Sequence, residues 1–393
     1  MAQDIDIDLG RAATQSGVRD HNERLLLSAI NRMGTIPGSQ LARRLGLSAQ
    51  TVSVILRSLE GEGLLTRGQP QKGRVGKPSV PIGLAPDGVF SIGLKIGRRS
   101  ADLALMDFHG VIRDQTQIHF RYPMPDAVFA FLDSGLKRFL ALLTPTQRQR
   151  VCGIGIAAPF EVWKWSDAIG APAQEFAAWR DVDFAQDVSQ RTGFPVTVLN
   201  DATAACMAEN ALGEGPGLRD YAYIFVGSFV GGGVVLGGSV FDGPHGNAGG
   251  FGPIASQRPD GTPAPLLDTA SLYLLEDAIS ADGGDPAGLW TEPRDWSPFA
   301  QQIDPWVRNT GAAIGKALVS VCAVIDFPAV IIDGAVPPDI RTGLVEVARA
   351  TLQGVDTRGL VVPDIRAGRI GENARAMGAA YAPIAERYFV SGS

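Results

Sequence analysis

At 393 residues the chain has room for two or three domains with buried cores, and its formal net charge of -6 looks wrong for a nucleic-acid binder. Counted by segment, residues 19 to 80 hold ten Arg or Lys against four Asp or Glu, near +6, so the remainder is near -12, since -6 minus +6 is -12. A basic head on an acidic body confines phosphate contacts to the head. Cys152, Cys206 and Cys322 are far apart and show no CxxC or CxxH spacing, which argues against a disulfide framework or a structural zinc site and fits a reducing cytoplasm.

The opening MAQDIDIDLGRAATQSG is acidic and polar, without the apolar region of a secretion signal, and no later run approaches the length of a membrane span. Residues 1–18 are therefore expected as a mobile tail of a cytoplasmic protein. A first helix is expected from about His21 to Met33, with Leu26, Ala29, Ile30 and Met33 at helical period, and a short second one from Ser39 to Leu45 with Leu41 and Leu45 inward. Gly46 permits a tight turn. Ser48 then stands where a helix N-cap is wanted, and Val52, Ile55, Leu56 and Leu59 make one buried stripe behind it.

That stripe leaves Gln50, Thr51, Ser53 and Arg57 on the free face, polar side chains able to reach base edges and phosphates when the helix N-terminus enters a major groove. Gly63 closes the helix, and Leu64 to Thr66 and Val80 to Leu84 read as two strands joined by a loop that carries Lys72, Arg74 and Lys77 among glycines. Residues 19–86 thus predict a winged helix-turn-helix that binds double-stranded operator DNA, its wing set against the DNA backbone or minor groove. The competing reading of the same pattern is a protein-interaction module with solvated loop charges.

From residue 87 to 393 the texture is short apolar strands, Gly-rich hairpins and crossover helices, given twice over, which predicts two α/β lobes with a cleft between them. Strands are expected at FSIGLKIG and ADLALMDFHGVI about a GRRS turn, at VCGIGIAAP, at FPVTVLND, in a hairpin from YAYIFVGS to GGGVVLGG, and at AVIIDG. Helices are expected over about Pro125 to Leu143, Ala202 to Ala211 and Trp306 to Ile325, and at the end over AMGAAYAPIAERY.

With GLSAQTVSVILRSLEGEGLL, GIGIAAP, VLNDATAACMAE, VGSFVGGGVVLGG, GPHGNAGGFG and AMGAA in hand, the chain from about Arg19 to Tyr388 resembles the ROK family of repressors and sugar kinases. The resemblance implies a winged helix-turn-helix joined to a two-lobed body related to actin and hexokinase. It also implies a sugar-facing pair, Asn200 and Asp201, the latter the general base in kinase members, here vestigial. The GPHGNAGGFG stretch would bring His245, Gly246 and Asn247 to the ligand. In place of the family's NLxxW, EFAAW sets Glu175 where an Asn approaches the sugar, so a polyol or a differently substituted sugar is expected; Trp163 and Trp165 are candidates to stack on a sugar ring.

Departures from the family are equally informative. Lys95, Arg98 and Arg99 replace the Asp and GGT turn with which kinase members organise metal and phosphate, and Phe229 fills the second phosphate hairpin. The two arginines are expected to be solvated, the opposing reading being that they bind some other anion. Gly250 and Pro253 replace the Glu and His of the zinc-site stretch, no Cys follows, and Asp268 is the one possible remnant of the cluster's last Glu. No metal and no cofactor are therefore expected.

The expected function is a transcriptional regulator, a repressor of carbohydrate-utilisation genes that binds a small carbohydrate effector and acts as a homodimer or tetramer. The alternatives are an active ROK-type sugar kinase with a regulatory head, and a DNA-binding scaffold whose body answers to a partner protein.

Overall fold

The computed structural model describes residues 15–70, 80–166, 170–291 and 294–390, and these form two compact units. The first unit comprises the described residues up to Val89 together with residues 385–390. Its helices are α1 (Gln15–Met33), α2 (Gly38–Leu45) and α3 (Ala49–Gly61), and its strands are β1 (Ile36–Pro37), β2 (Leu65–Arg67) and β3 (Pro81–Leu84), in the antiparallel order β1-β3-β2. The helix-turn-helix corner is made by Gly46, whose φ of 66° lies in the left-handed region that a side chain disfavours.

Val52, Ile55, Leu56 and Leu59 are all buried in the head core with Leu26, Leu27, Ile30, Leu41 and Ile82. Each such side chain contributes roughly 1.5–3 kcal/mol when fully buried. Ala29 and Met33 are only partly covered, because Leu27 and Ser28 take the inner positions of α1. Ser28 is buried because it has a partner: its Oγ accepts from the Val390 amide at 2.9 Å. Arg24 of α1 likewise donates to the carbonyls of Phe389 and Glu386, each at 2.8 Å. Residues 386–390 are thus tied to the middle of the first helix of the head, an arrangement that no local pattern announces.

The second unit spans Phe90–Ile384. Its first lobe carries β4 (Phe90–Ile96), β5 (Ser100–Asp107), β6 (Ile112–His119), α4 (Pro125–Leu142), β7 (Val151–Ala158), α5 (Phe184–Thr192) and β8 (Val196–Asn200). Helix α6 (Asp201–Leu212) leads to the second lobe, with β9 (Tyr221–Val226), β10 (Val230–Leu236), β11 (Ser239–Phe241), a small ribbon of β12 (Ala255–Gln257) and β13 (Pro263–Pro265), α7 (Tyr273–Ala281), α8 (Ala300–Val324), β14 (Ala329–Gly334), α9 (Pro338–Gly354) and β15 (Asp364–Ala367). Helix α10 (Ala374–Tyr388) ends the described chain, and its last residues group with the head.

The two lobes repeat one topology. The sheet orders are β6-β5-β4-β7-β8 and β11-β10-β9-β14-β15, in each of which an antiparallel meander is followed by two parallel strands. ADLALMDFHGVI proves to be β5, a turn and the start of β6, because Asp107 Oδ1 accepts from the amides of His109 and Val111 and bends the chain. The small residues of GIGIAAP and AMGAA permit backbone contact: a Cβ on Gly155 would lie 1.8 Å from the Ala379 carbonyl oxygen, and one on Gly378 1.7 Å from that of Ala204. Helix α10 therefore lies directly on β7 and α6, which brings its first turn to the cleft. Among the described residues, no helix is long and apolar enough to cross a membrane.

Candidate functional site

In the head, Ser48 is the N-cap of α3. Its Oγ accepts from the Thr51 amide at 3.0 Å and lies 2.8 Å from Thr51 Oγ1, so both side chains are engaged in the cap. Gln50, Ser53 and Arg57 are exposed on the outer face, with Val54 exposed between them, an apolar member that reasoning on polar residues missed. Lys72, Arg74 and Lys77 lie outside the described residues.

In the body, a cavity of about 660 Å³ opens between the two lobes. The β4–β5 turn brings Gly97 and Arg98 to it, the β9–β10 turn brings Ser228 and Phe229, and the start of α6 brings Asn200 and Asp201. Asn200 is the N-cap of α6, its Oδ1 accepting from the amides of Ala202 at 2.9 Å and Thr203 at 3.4 Å. Asp201 is left free of capping and meets Arg375 Nη1 at 3.3 Å. Arg375 stands on the first turn of α10 and lies over the Phe225 ring at 5.1 Å. Asn247 also lines the cavity, as does Gly250.

His245 and Gly246 are not among the lining residues; both are exposed on the loop that Gly246, at φ 67°, turns outward. Glu175 is likewise not among the lining residues. On the four-residue helical turn Ala173–Phe176, adjacent side chains diverge, so buried Phe176 faces the cavity and Glu175 faces solvent. Trp163 packs on the first-lobe core, whereas Trp165 lines the cavity. Asp268 accepts from the Tyr273 hydroxyl at 3.0 Å, which, after burial, helps push that phenol up to about 12.

Arg98 and Arg99 are not merely solvated. Both cross the cleft to Glu276 on α7, Arg98 Nη1 at 3.5 Å and Arg99 Nε at 3.2 Å, and Glu276, itself buried, also accepts from Trp290 Nε1 at 3.0 Å. Burial lowers the Arg98 pKa, and the Glu276 charge opposes that shift. Lys95 turns away from the cavity into the first lobe, where Nζ donates to Ser100 Oγ and Asp102 Oδ2, each at 2.8 Å. Burial lowers its pKa, with Asp102 opposing.

Phe229 does occupy the second turn, stacked between Trp165 at 4.6 Å and Tyr273 at 5.6 Å, centroid to centroid, with Arg98 over its ring at 5.8 Å. Sequence reasoning missed Arg375, Glu276, Phe160 and the turn at Glu161. In that turn Glu161 has φ 49°, the positive value of a non-glycine among the described residues. No group of three or more His, Cys, Asp or Glu among the described residues is placed to hold a metal ion.

A winged helix-turn-helix joined to paired lobes of this topology defines a DNA-binding regulator built on a sugar-kinase-like body. The chain belongs to the ROK family, which it matches over residues 91–385, and residues 17–74 match the MarR family. It is 26% identical to the uncharacterized protein y4fQ of Sinorhizobium fredii, over 94% of this chain and 92% of that protein. It is 25% identical to the xylose repressor of Bacillus subtilis, over 61% of this chain and 62% of that repressor. A crystal structure of a ROK family transcriptional regulator, a homolog of the E. coli MLC protein, has the same fold, with a TM-score of 0.67 at 21% identity over 94% of this chain and 96% of that one.

Proposed function

We propose that the protein is a carbohydrate-responsive transcriptional repressor whose body binds a sugar without phosphorylating it. The head reads DNA through Gln50, Ser53 and Arg57 on the open face of α3, with the wing residues Lys72, Arg74 and Lys77 on the backbone. One head offers little surface, so the working unit is a homodimer on a palindromic operator. In the body, Asp201, Arg375 and Asn247 bond the sugar hydroxyls, and a change in the angle between the lobes alters the grip on DNA.

The observation that carries this reading is the state of the two hairpin turns. A polyphosphate needs open backbone amides and a metal-holding carboxylate. Here one turn is tied to Glu276 through Arg98 and Arg99, and the other is filled by the Phe229 ring. The test is thermal unfolding against a panel of sugars and polyols, repeated with ATP and magnesium. A shift with one carbohydrate and none with ATP, followed by release of operator DNA by that carbohydrate, is the expected result; a shift with ATP would overturn it.

The kinase reading has Asp201 in its favour, since a carboxylate at the cavity edge is the residue type that removes a proton from a sugar hydroxyl. A coupled assay with common hexoses and ATP separates the two, and no turnover is expected.

A further inference from the structure

The cavity has two unlike kinds of wall. Its hydroxyl-binding groups are few: Asn200 spends its oxygen on the α6 cap, Glu161 is held by Lys164 Nζ at 2.7 Å, and Asp201, Asn247, Arg375 and Ser228 remain. That is a set for one sugar ring. The other wall is aromatic, Trp165 against Phe229, which Tyr273 backs from outside the lining, with Phe160 beside them at 43% exposure although it lines a concave site.

Nothing in a single pyranose needs so much apolar wall, and a volume of 660 Å³ falls in the range of roughly 300–1,000 Å³ that encloses drug-sized ligands. The aromatic wall is also built at a cost. Glu161 adopts a left-handed backbone that a side chain disfavours, and this turn delivers Phe160 and Trp165 to the cavity together, tied by Trp165 Nε1 donating to the Phe160 carbonyl at 3.0 Å. Arg98 flanks the aromatic wall and Arg375 meets Asp201.

We infer that the effector is a glycoside and not a free monosaccharide. Its sugar ring bonds Asp201, Asn247 and Arg375, and the ring on its anomeric oxygen, a second sugar or an aromatic group, lies with its apolar face on Trp165 and Phe229. The inference rests on the reading of the cavity as a sugar site.

The test is calorimetry of the full-length protein with glucose, galactose, mannose and xylose, each beside its methyl glycoside, its phenyl glycoside and a disaccharide that carries it at the non-reducing end. At least one phenyl glycoside or disaccharide should bind tenfold or more tighter than its parent sugar and its methyl glycoside, about 1.4 kcal/mol. Trp165→Ala should erase that gain while changing the affinity for the parent sugar less than about twofold. Trp165→Phe, which keeps a ring against Phe229, should retain most of it. If a parent sugar binds as tightly as its glycosides, or if Trp165→Ala weakens both alike, the inference fails and the sugar site stands. If none of these compounds binds, the sugar site itself fails and takes the inference with it.

Discussion

Glu276 is the sharpest place to perturb the body. Its buried carboxylate holds Arg98 and Arg99 from the opposite lobe and the indole N–H of Trp290. Replacing it with Ala leaves two guanidinium groups and one buried donor without their acceptor, and breaking a buried pair in this way costs about 3–5 kcal/mol. Arg99 is one-third exposed and regains water, so the lower end applies, about 3 kcal/mol. For a body of this size each kcal/mol moves the unfolding midpoint by about 2 °C, which gives a fall of about 6 °C. Glu276→Gln keeps an acceptor for Trp290 and should cost roughly half as much. Differential scanning calorimetry of the full-length protein reads both. A midpoint for Glu276→Ala within about 1 °C of the unsubstituted protein would show that the arginines bridge the lobes at no energetic gain, and the account of the closed first turn would be withdrawn.

Arg24→Ala removes the charged hydrogen bonds to the Phe389 and Glu386 carbonyls and should destabilise the head by about 1.5–3 kcal/mol, with faster hydrogen exchange at the Val390 amide that Ser28 holds; unchanged exchange there would refute the tie. Burial alone would raise Asp102, but the Lys95 charge and hydrogen bond outweigh it and leave the carboxyl below its ordinary value of 3.8. A depressed carboxyl stabilises the fold above its unfolded pKa and loses that contribution as pH falls through the folded one, so stability should drop below about pH 3.8, and Asp102→Asn should flatten the slope in acid melts. Gln50→Ala should change base preference in operator selection; an equal loss on all sequences would limit Gln50 to phosphate contact.

The head was legible because its signals are local. A Ser cap, a stripe at helical spacing and a Gly corner each act within a few residues, and Ser48, Val52, Ile55, Leu56, Leu59 and Gly46 stand as their spacing required. The same holds for the strands of the body and for the small residues of GIGIAAP and AMGAA, whose need for close backbone approach is written into their composition.

What the sequence by itself determined, then, is the pair of architectures and the presence of Asp201, Asn247, Trp165 and Phe229 near one cleft. Tertiary structure alone decided their partners. Glu276 lies 177 residues from Arg99, and Arg375 lies 174 from Asp201, so no window of sequence contains either pair. Orientation was decided there too: a rotation of one residue along a short helical turn sends Phe176 inward and Glu175 to water. Helix and strand period follow from short-range sterics that each residue carries with it, whereas an ion pair across a cleft exists only once two lobes have closed the distance between residues the chain keeps far apart.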